Sequence, residues 1–168
     1  MRVKLFTSVL LLGVLAAAAH GQTLVVANKA EATVSLIDLG TGKVRATLPT
    51  GQGPHEVEVS PDGRWAVVAD YGVRGAPGNT LTVIDVPAAV GVRTIDLGEH
   101  RRPHGMRWLD DRRLAVTTEG SGSTIVVDVA AGRIETAVET GQEISHMVAA
   151  TPDGSRAFVA NIGSGSIT

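Results

Sequence analysis

The chain has 168 residues with 15 Lys and Arg against 17 Asp and Glu, no cysteine, and 43% hydrophobic but only 3% aromatic residues. The missing cysteines exclude disulfide staples and thiolate chemistry. The near-neutral, slightly acidic balance gives no electrostatic footprint for a nucleic-acid backbone, so no nucleic-acid partner is expected.

Residues 1–21 read as a secretory signal peptide. Arg2 and Lys4 supply a short positive start, Leu5 to Ala19 an apolar run, and Ala19-His20-Gly21 a small-residue cleavage site. The run is short for a bilayer-crossing helix, which takes about 20 apolar residues. Every later apolar run is soon broken by a charge or glycine, so no membrane span is expected after signal removal. A periplasmic or secreted location follows. Loss of Arg2 and Lys4 takes the 15 basic residues to 13 against 17 acidic ones, a net charge of −4 on the mature chain.

From residue 22 the chain repeats itself. QGPHEVEVSPDGRWAVVAD at 52–70 returns as RRPHGMRWLDDRRLAVTTE at 101–119 and as EISHMVAATPDGSRAFVAN at 143–161. Aligned on His55, His104 and His146 without gaps, the units match Asp62 with Asp111 and Asp153, and Asp70 with Glu119 and Asn161. Each full unit holds four short runs of alternating apolar residues. In the second copy they are HEVEVS (55–60), RWAVVAD (64–70), TLTVIDV (80–86) and VRTIDL (92–97). Abundant Val and Thr and a period near two favour strands over helix. Pro61-Asp62-Gly63 and Pro152-Asp153-Gly154 mark the first hairpin turn, while Asp110 to Arg113 lacks both Pro and Gly and should turn differently. YGVRGAPGN at 71–79 reads as a surface loop beginning at Tyr71 and suited to partner contact.

Four antiparallel strands recurring every 40 to 50 residues give an all-β class and a β-propeller of four-stranded blades. The repeat units lie near 22–51, 52–98, 99–141 and 142–168, a partial propeller domain over 22–168. About three blades are supplied where rings close with about four to eight, so the chain reads as the amino-terminal portion of a longer protein. The other reading is a ring closed by assembly of copies.

The stretches Val67-Val68-Ala69-Asp70, Val116-Thr117-Thr118-Glu119 and Phe158-Val159-Ala160-Asn161 follow Pro-His near the unit start in two copies and precede a strand ending near Asp38, Asp85 or Asp128. In this they resemble the bacterial and archaeal YVTN-type, YncE-like propeller repeat. The resemblance implies an exported seven-bladed ring. It also implies distant kinship with surface-layer proteins, lactone hydrolases and the propeller parts of electron-transfer enzymes, a spread too wide to assign chemistry.

His55, His104 and His146 are the candidate site residues. All sit at the start of the strand expected nearest the central axis. A position repeated once per blade is first a structural one, its imidazole bonding backbone in the adjoining turn. The functional reading is a polar mouth taking an anion or other small polar ligand, with Glu56, Arg102 and Arg107, and in sequence Arg101 and Glu143, close by. A divalent metal is the second ligand class, with no cofactor assigned; zinc wants nitrogen ligands at about 2.0–2.1 Å, and histidines on successive blades are expected too far apart for a tight site. Asp38, Asp85 and Asp128 are expected to accept backbone N–H bonds, and Pro61, Asp62, Gly63, Pro152, Asp153 and Gly154 to shape turns.

No Gly-x-Ser-x-Gly elbow, His-Glu-x-x-His helix or phosphate-cradling glycine motif occurs. The functional expectation is therefore an exported binding or scaffold propeller with a small polar ligand or a protein as partner. The alternative is a lactonase-like hydrolase or metal-dependent propeller enzyme whose site is completed beyond residue 168.

Overall fold

The computed structural model describes residues 22–168; the expected signal peptide lies outside these residues. Among the described residues fourteen strands form four antiparallel sheets, with one 3-10 turn at Lys29–Glu31. The first sheet has three strands, β1 (Thr23–Asn28), β2 (Thr33–Asp38) and β3 (Lys43–Pro49). The second has four, β4 (Pro54–Val59), β5 (Trp65–Val73), β6 (Ala76–Asp85) and β7 (Val90–Asp96). The third repeats it with β8 (Pro103–Trp108), β9 (Arg113–Thr118), β10 (Ser123–Asp128) and β11 (Arg133–Glu139). The last holds β12 (Ser145–Ala150), β13 (Ala157–Asn161) and β14 (Ser166–Ile167). In every sheet the strands lie in chain order, so each is a meander of hairpins.

The period of two places alternate residues on opposite faces, and both faces of the second sheet are covered. Val67, Ala69, Leu81, Val83 and Ile95 pack with Met106, Trp108, Leu114, Val116, Ile125 and Val127 of the third sheet. Their neighbours Ala66, Val68 and Ile84 point the other way, onto Val34 and Leu36 of the first sheet. This explains why five consecutive residues, Ala66 to Asp70, are buried in a strand that also alternates. Ala115, Val148 and Val159 continue the stack to the last sheet. Each fully buried Leu, Ile or Val contributes about 1.5–3 kcal/mol, gained only because the neighbouring sheet is there.

Asp38, Asp85 and Asp128 each accept the backbone N–H three residues on, from Thr41 (2.7 Å), Ala88 (2.9 Å) and Ala131 (2.9 Å). They are turn residues at the hairpin leading into the last strand of each of the first three sheets. Asp62 and Asp153 accept the backbone N–H two residues on in the first hairpin of their sheets, from Arg64 (3.0 Å) and Ser155 (3.1 Å). Hydrogen bonds from Thr151 and Ser155 hold the Asp153 carboxyl down at about 2. Gly63 and Gly154 take the left-handed conformation that follows Pro-Asp, at φ 72° and 65°.

The segment 71–79 departs from the expected surface loop. β5 and β6 extend through it as a paired arm, Gly72 opposite Pro77 and Val73 opposite Ala76, leaving only Arg74 and Gly75 at the turn. Glycines at 72, 75 and 78 suit a two-stranded arm as well as a loop, and composition alone does not separate them.

Candidate functional site

β4, β8 and β12 lie beside one another as the inner strands of three successive sheets. Each carries a register break at its histidine. Pairing slips between Pro54 and Val57, between Pro103 and Met106, and between Ser145 and Met147. A bulge of this kind bends the strand and re-aims a side chain. Two residues before each histidine stands a left-handed residue, Gly53 (φ 60°), Arg102 (φ 55°) or Ile144 (φ 54°). Their carbonyls accept the N–H of Tyr71, Glu119 and Ile162.

The result is a contiguous row. Ring centroids of His55 and His104 are 4.6 Å apart, and those of His104 and His146 4.0 Å. This corrects the expectation that the histidines are held apart around an open axis. It also replaces the expected backbone-bonding role, since the imidazoles engage each other and carboxylates. Gly105 makes the approach feasible. A Cβ there would meet the His146 carbonyl oxygen at 2.6 Å and the Met147 Cα at 2.7 Å. Thr117 clasps the two strands, its hydroxyl donating to the carbonyls of His146 (2.5 Å) and Gly105 (3.3 Å).

Glu119 and Tyr71 complete the cluster. The Tyr71 hydroxyl donates to Glu119 Oε2 at 2.5 Å, His146 Nδ1 contacts Glu119 Oε1, and His104 Nε2 lies 3.9 Å from the same oxygen. The Tyr71 ring stands edge-on to His55 (5.2 Å) and His104 (5.7 Å). Arg102 and Lys29 lie over its ring at 4.9 and 5.4 Å. Glu56 approaches His55 Nδ1 at 3.7 Å on the other side of the row.

Glu119 was not singled out in the sequence because the gapless alignment equates it with Asp70 and Asn161. The structure shows otherwise. The β8–β9 turn is one residue shorter than its counterparts, with the Leu109 N–H bonding the Arg113 carbonyl where Ser60 bonds Trp65 and Thr151 bonds Arg156. Thr118 therefore stands where Asp70 and Asn161 do, and Glu119 falls at the position of Tyr71 and Ile162. The glycine that follows each of these three, Gly72, Gly120 or Gly163, was the signal for the correct register. Asp70 is instead a structural hub, accepting from Thr80 (2.8 Å), Thr82 (2.9 Å) and the Gly51 N–H (3.0 Å). Burial pushes its carboxyl upward.

The electrostatics favour a neutral imidazole beside a carboxylate. Burial and then neighbouring His146 lower the His104 pKa. Burial pushes Glu119 upward, but hydrogen bonds from Tyr71 and His146 outweigh it and leave its carboxyl below the usual range. Burial and the bond to Glu119 raise the Tyr71 phenol.

Of the other candidates, Arg102 joins the cluster while Arg107 does not. Arg107 is exposed and pairs with Glu58 at 3.4 Å across β8 and β4. Glu143 packs against Gly163 and Arg101 against Gly120, and each glycine N–H donates to the carbonyl of its partner. His104, Glu119 and His146 offer ligand atoms within 4.8 Å of one another, as do His55, Glu56 and His104. Ser145 is buried and bonds Asn161 (3.0 Å) and Thr140 (2.8 Å), with no link to the adjacent His146 imidazole.

Among solved structures, the chain is similar to hydrazine synthase of Kuenenia stuttgartiensis, with 22% identity and a TM-score of 0.72 over 84% of this chain and 40% of that one. It is also similar to a functionally unknown protein from Desulfotomaculum acetoxidans DSM 771, with 19% identity and a TM-score of 0.71 over 85% of this chain and 46% of that one. Both likenesses concern the fold alone, and the chain spans less than half of either protein. No curated protein matches the sequence. The strand meanders, the stacked sheets and the histidine-bearing inner strands agree with the match of residues 11–114 to the YNCE-like beta-propeller family, to which this chain belongs.

Proposed function

We propose that the chain forms part of an exported binding propeller whose site is the imidazole row at the bulged ends of β4, β8 and β12. The supporting observation is that three successive sheets each turn a histidine out of register into one stack, backed by a largely buried carboxylate. Blade packing needs no such row, because the apolar clusters already cover the sheet faces. Export rests on the composition of residues 1–21, and no helix among the described residues is long and apolar enough to cross a membrane. The adjacent Ser145 and His146 do not form a nucleophile–base pair, so no serine-nucleophile site is built there.

The row offers imidazole nitrogens, one carboxylate and the Arg102 cation, a set suited to a small polar ligand with both donors and acceptors. Thermal unfolding of the full chain in chelator-treated buffer, against dicarboxylates, amino acids and neutral sugars, tests it. A ligand at 100 times its Kd adds about 2.7 kcal/mol, a rise of roughly 5–10 °C for a domain of this size. One class should give that rise and lose it in the His55→Gln and Arg102→Gln variants. A rise that survives both substitutions, or no rise with any class, overturns the reading.

A further inference from the structure

His104 is the most enclosed imidazole of the row, 3% exposed, yet its Nδ1 has no hydrogen-bond partner among the described residues. The other nitrogen of His104, Nε2, is the one that faces the carboxylate, 3.9 Å from Glu119 Oε1, and the ring centroid lies 4.0 Å from that of His146. The donor atoms of the three residues lie within 4.8 Å of one another. Tetrahedral bonds of 2.0–2.1 Å set such atoms about 3.3 Å apart, so closing the set takes side-chain movements on the order of 1 Å.

Resting on the reading of the row as a binding site, we propose that its occupant is a single first-row divalent metal ion held by His104, Glu119 and His146. Two imidazoles and a carboxylate suit Zn²⁺ or Cu²⁺ and disfavour Mg²⁺ and Ca²⁺, which take oxygen-rich sets. In the metal-free protein His146 Nδ1 contacts Glu119 Oε1. An ion entering between them takes the lone pair of a neutral His146 imidazole, whose one proton then sits on the other ring nitrogen. The Tyr71 hydroxyl, bonded to the other Glu119 oxygen, orients the carboxylate from behind. The rival set of His55, Glu56 and His104 shares His104, so the two cannot both be filled through one nitrogen. Its carboxylate is the poorer anchor, with the Glu56 side chain 37% exposed against 10% for Glu119. Three protein ligands leave a coordination position for water or for the small polar ligand itself.

The full chain, stripped with a chelator, is titrated with Zn²⁺ by calorimetry and with Co²⁺ by visible absorption. One ion per chain is expected, with the intense Co²⁺ bands of a four-coordinate site. Glu119→Gln and His146→Ala should each weaken Zn²⁺ binding at least roughly tenfold, and Tyr71→Phe by about 10–100-fold while the bands persist at saturation. Glu56→Gln should leave binding unchanged. Circular dichroism of each metal-free variant checks folding; if His146→Ala does not fold, the isosteric Glu119→Gln and Tyr71→Phe decide. No uptake by the unmodified chain, uptake indifferent to Glu119→Gln, or uptake lost only in Glu56→Gln overturns the assignment. The stripped and the Zn²⁺-loaded protein both enter the small-molecule screen. Ligand binding without Zn²⁺ uptake removes the metal and keeps the binding site, Zn²⁺ uptake with no ligand rise in either form keeps the metal and removes the small polar ligand, and neither removes both.

Discussion

Replacing Gly105 by alanine tests whether close approach of the inner strands builds the histidine row. The new Cβ would stand 2.6 Å from the His146 carbonyl oxygen, 2.7 Å from the Met147 Cα and 2.9 Å from the Val148 nitrogen. All three are backbone atoms, so no side chain can swing aside. Ordinary contact begins near 3.4 Å, and β12 must retreat from β8 by about 0.8 Å. Overpacking of this kind costs roughly 1–3 kcal/mol, a fall in Tm of about 2–12 °C for a domain of this size. The same retreat stretches the Thr117 bond to the His146 carbonyl and parts the His104 and His146 rings, now 4.0 Å apart. Gly91→Ala is the control, since a Cβ there meets nothing within 4 Å and its φ is ordinary. Urea unfolding of both variants, with histidine ring NMR spectra, reads stability and site together. A Gly105→Ala protein with unchanged midpoint and unchanged ring shifts would refute the claim that strand spacing sets the row.

Four further outcomes are expected. Asp70→Ala should cost at least about 2–4 kcal/mol by leaving Thr80, Thr82 and the Gly51 N–H without their acceptor, while Asp70→Asn should be tolerated, as Asn28 and Asn161 bond hydroxyls at the equivalent positions. Because burial raises the Asp70 pKa in the fold, the native protein loses stability as pH rises through that raised value, so the gain of Asp70→Asn over the native chain should be larger at pH 7 than at pH 3; chemical unfolding at the two pH values decides, and equal gains would contradict it. His104 has the opposite sign: its folded pKa lies below the unfolded value near 6.5, so its contribution is complete above that pH and is lost as pH falls from there through the depressed value. Urea midpoints of the metal-free chain at pH 7.5 and 5.5 should differ more for the native protein than for His104→Gln, and parallel losses would refute the assignment. Thr117→Val removes the clasp at similar volume and should cost about 1 kcal/mol by thermal unfolding, with His146 ring resonances broadened; unchanged resonances would remove Thr117 from any positioning role.

Much of the architecture is legible in the sequence itself. Period-two runs such as RWAVVAD and TLTVIDV, cut by Pro-Asp-Gly and Gly turns, are strands because β-branched residues on alternating faces fit a pleated sheet covered on both sides. Their recurrence made the sheets copies of one unit, and the aspartates at 38, 85 and 128 fell where a turn needs an acceptor. The row of His55, His104 and His146 was visible for the same reason, as a position held in each copy. Spacing between units was not visible. How near two inner strands come depends on Gly105 lacking a Cβ and on the bulge at each histidine, and both act between segments about 40 residues apart.

Glu119 marks the boundary between the two kinds of information. One residue fewer in the Asp110 to Arg113 turn shifts everything after it by one position, and in a strand one position exchanges one face for the other. Sequence alignment without gaps assigned Glu119 to the hub occupied by Asp70; hydrogen bonding put Thr118 there and carried Glu119 to Tyr71 and His146. Local chemistry determined which segments became strands and which residues recur at their starts, because turn geometry and side-chain alternation are encoded within a few neighbours. Which carboxylate meets which imidazole was decided only by the packing of one sheet on the next, where register and strand separation are set by contacts distant in the chain.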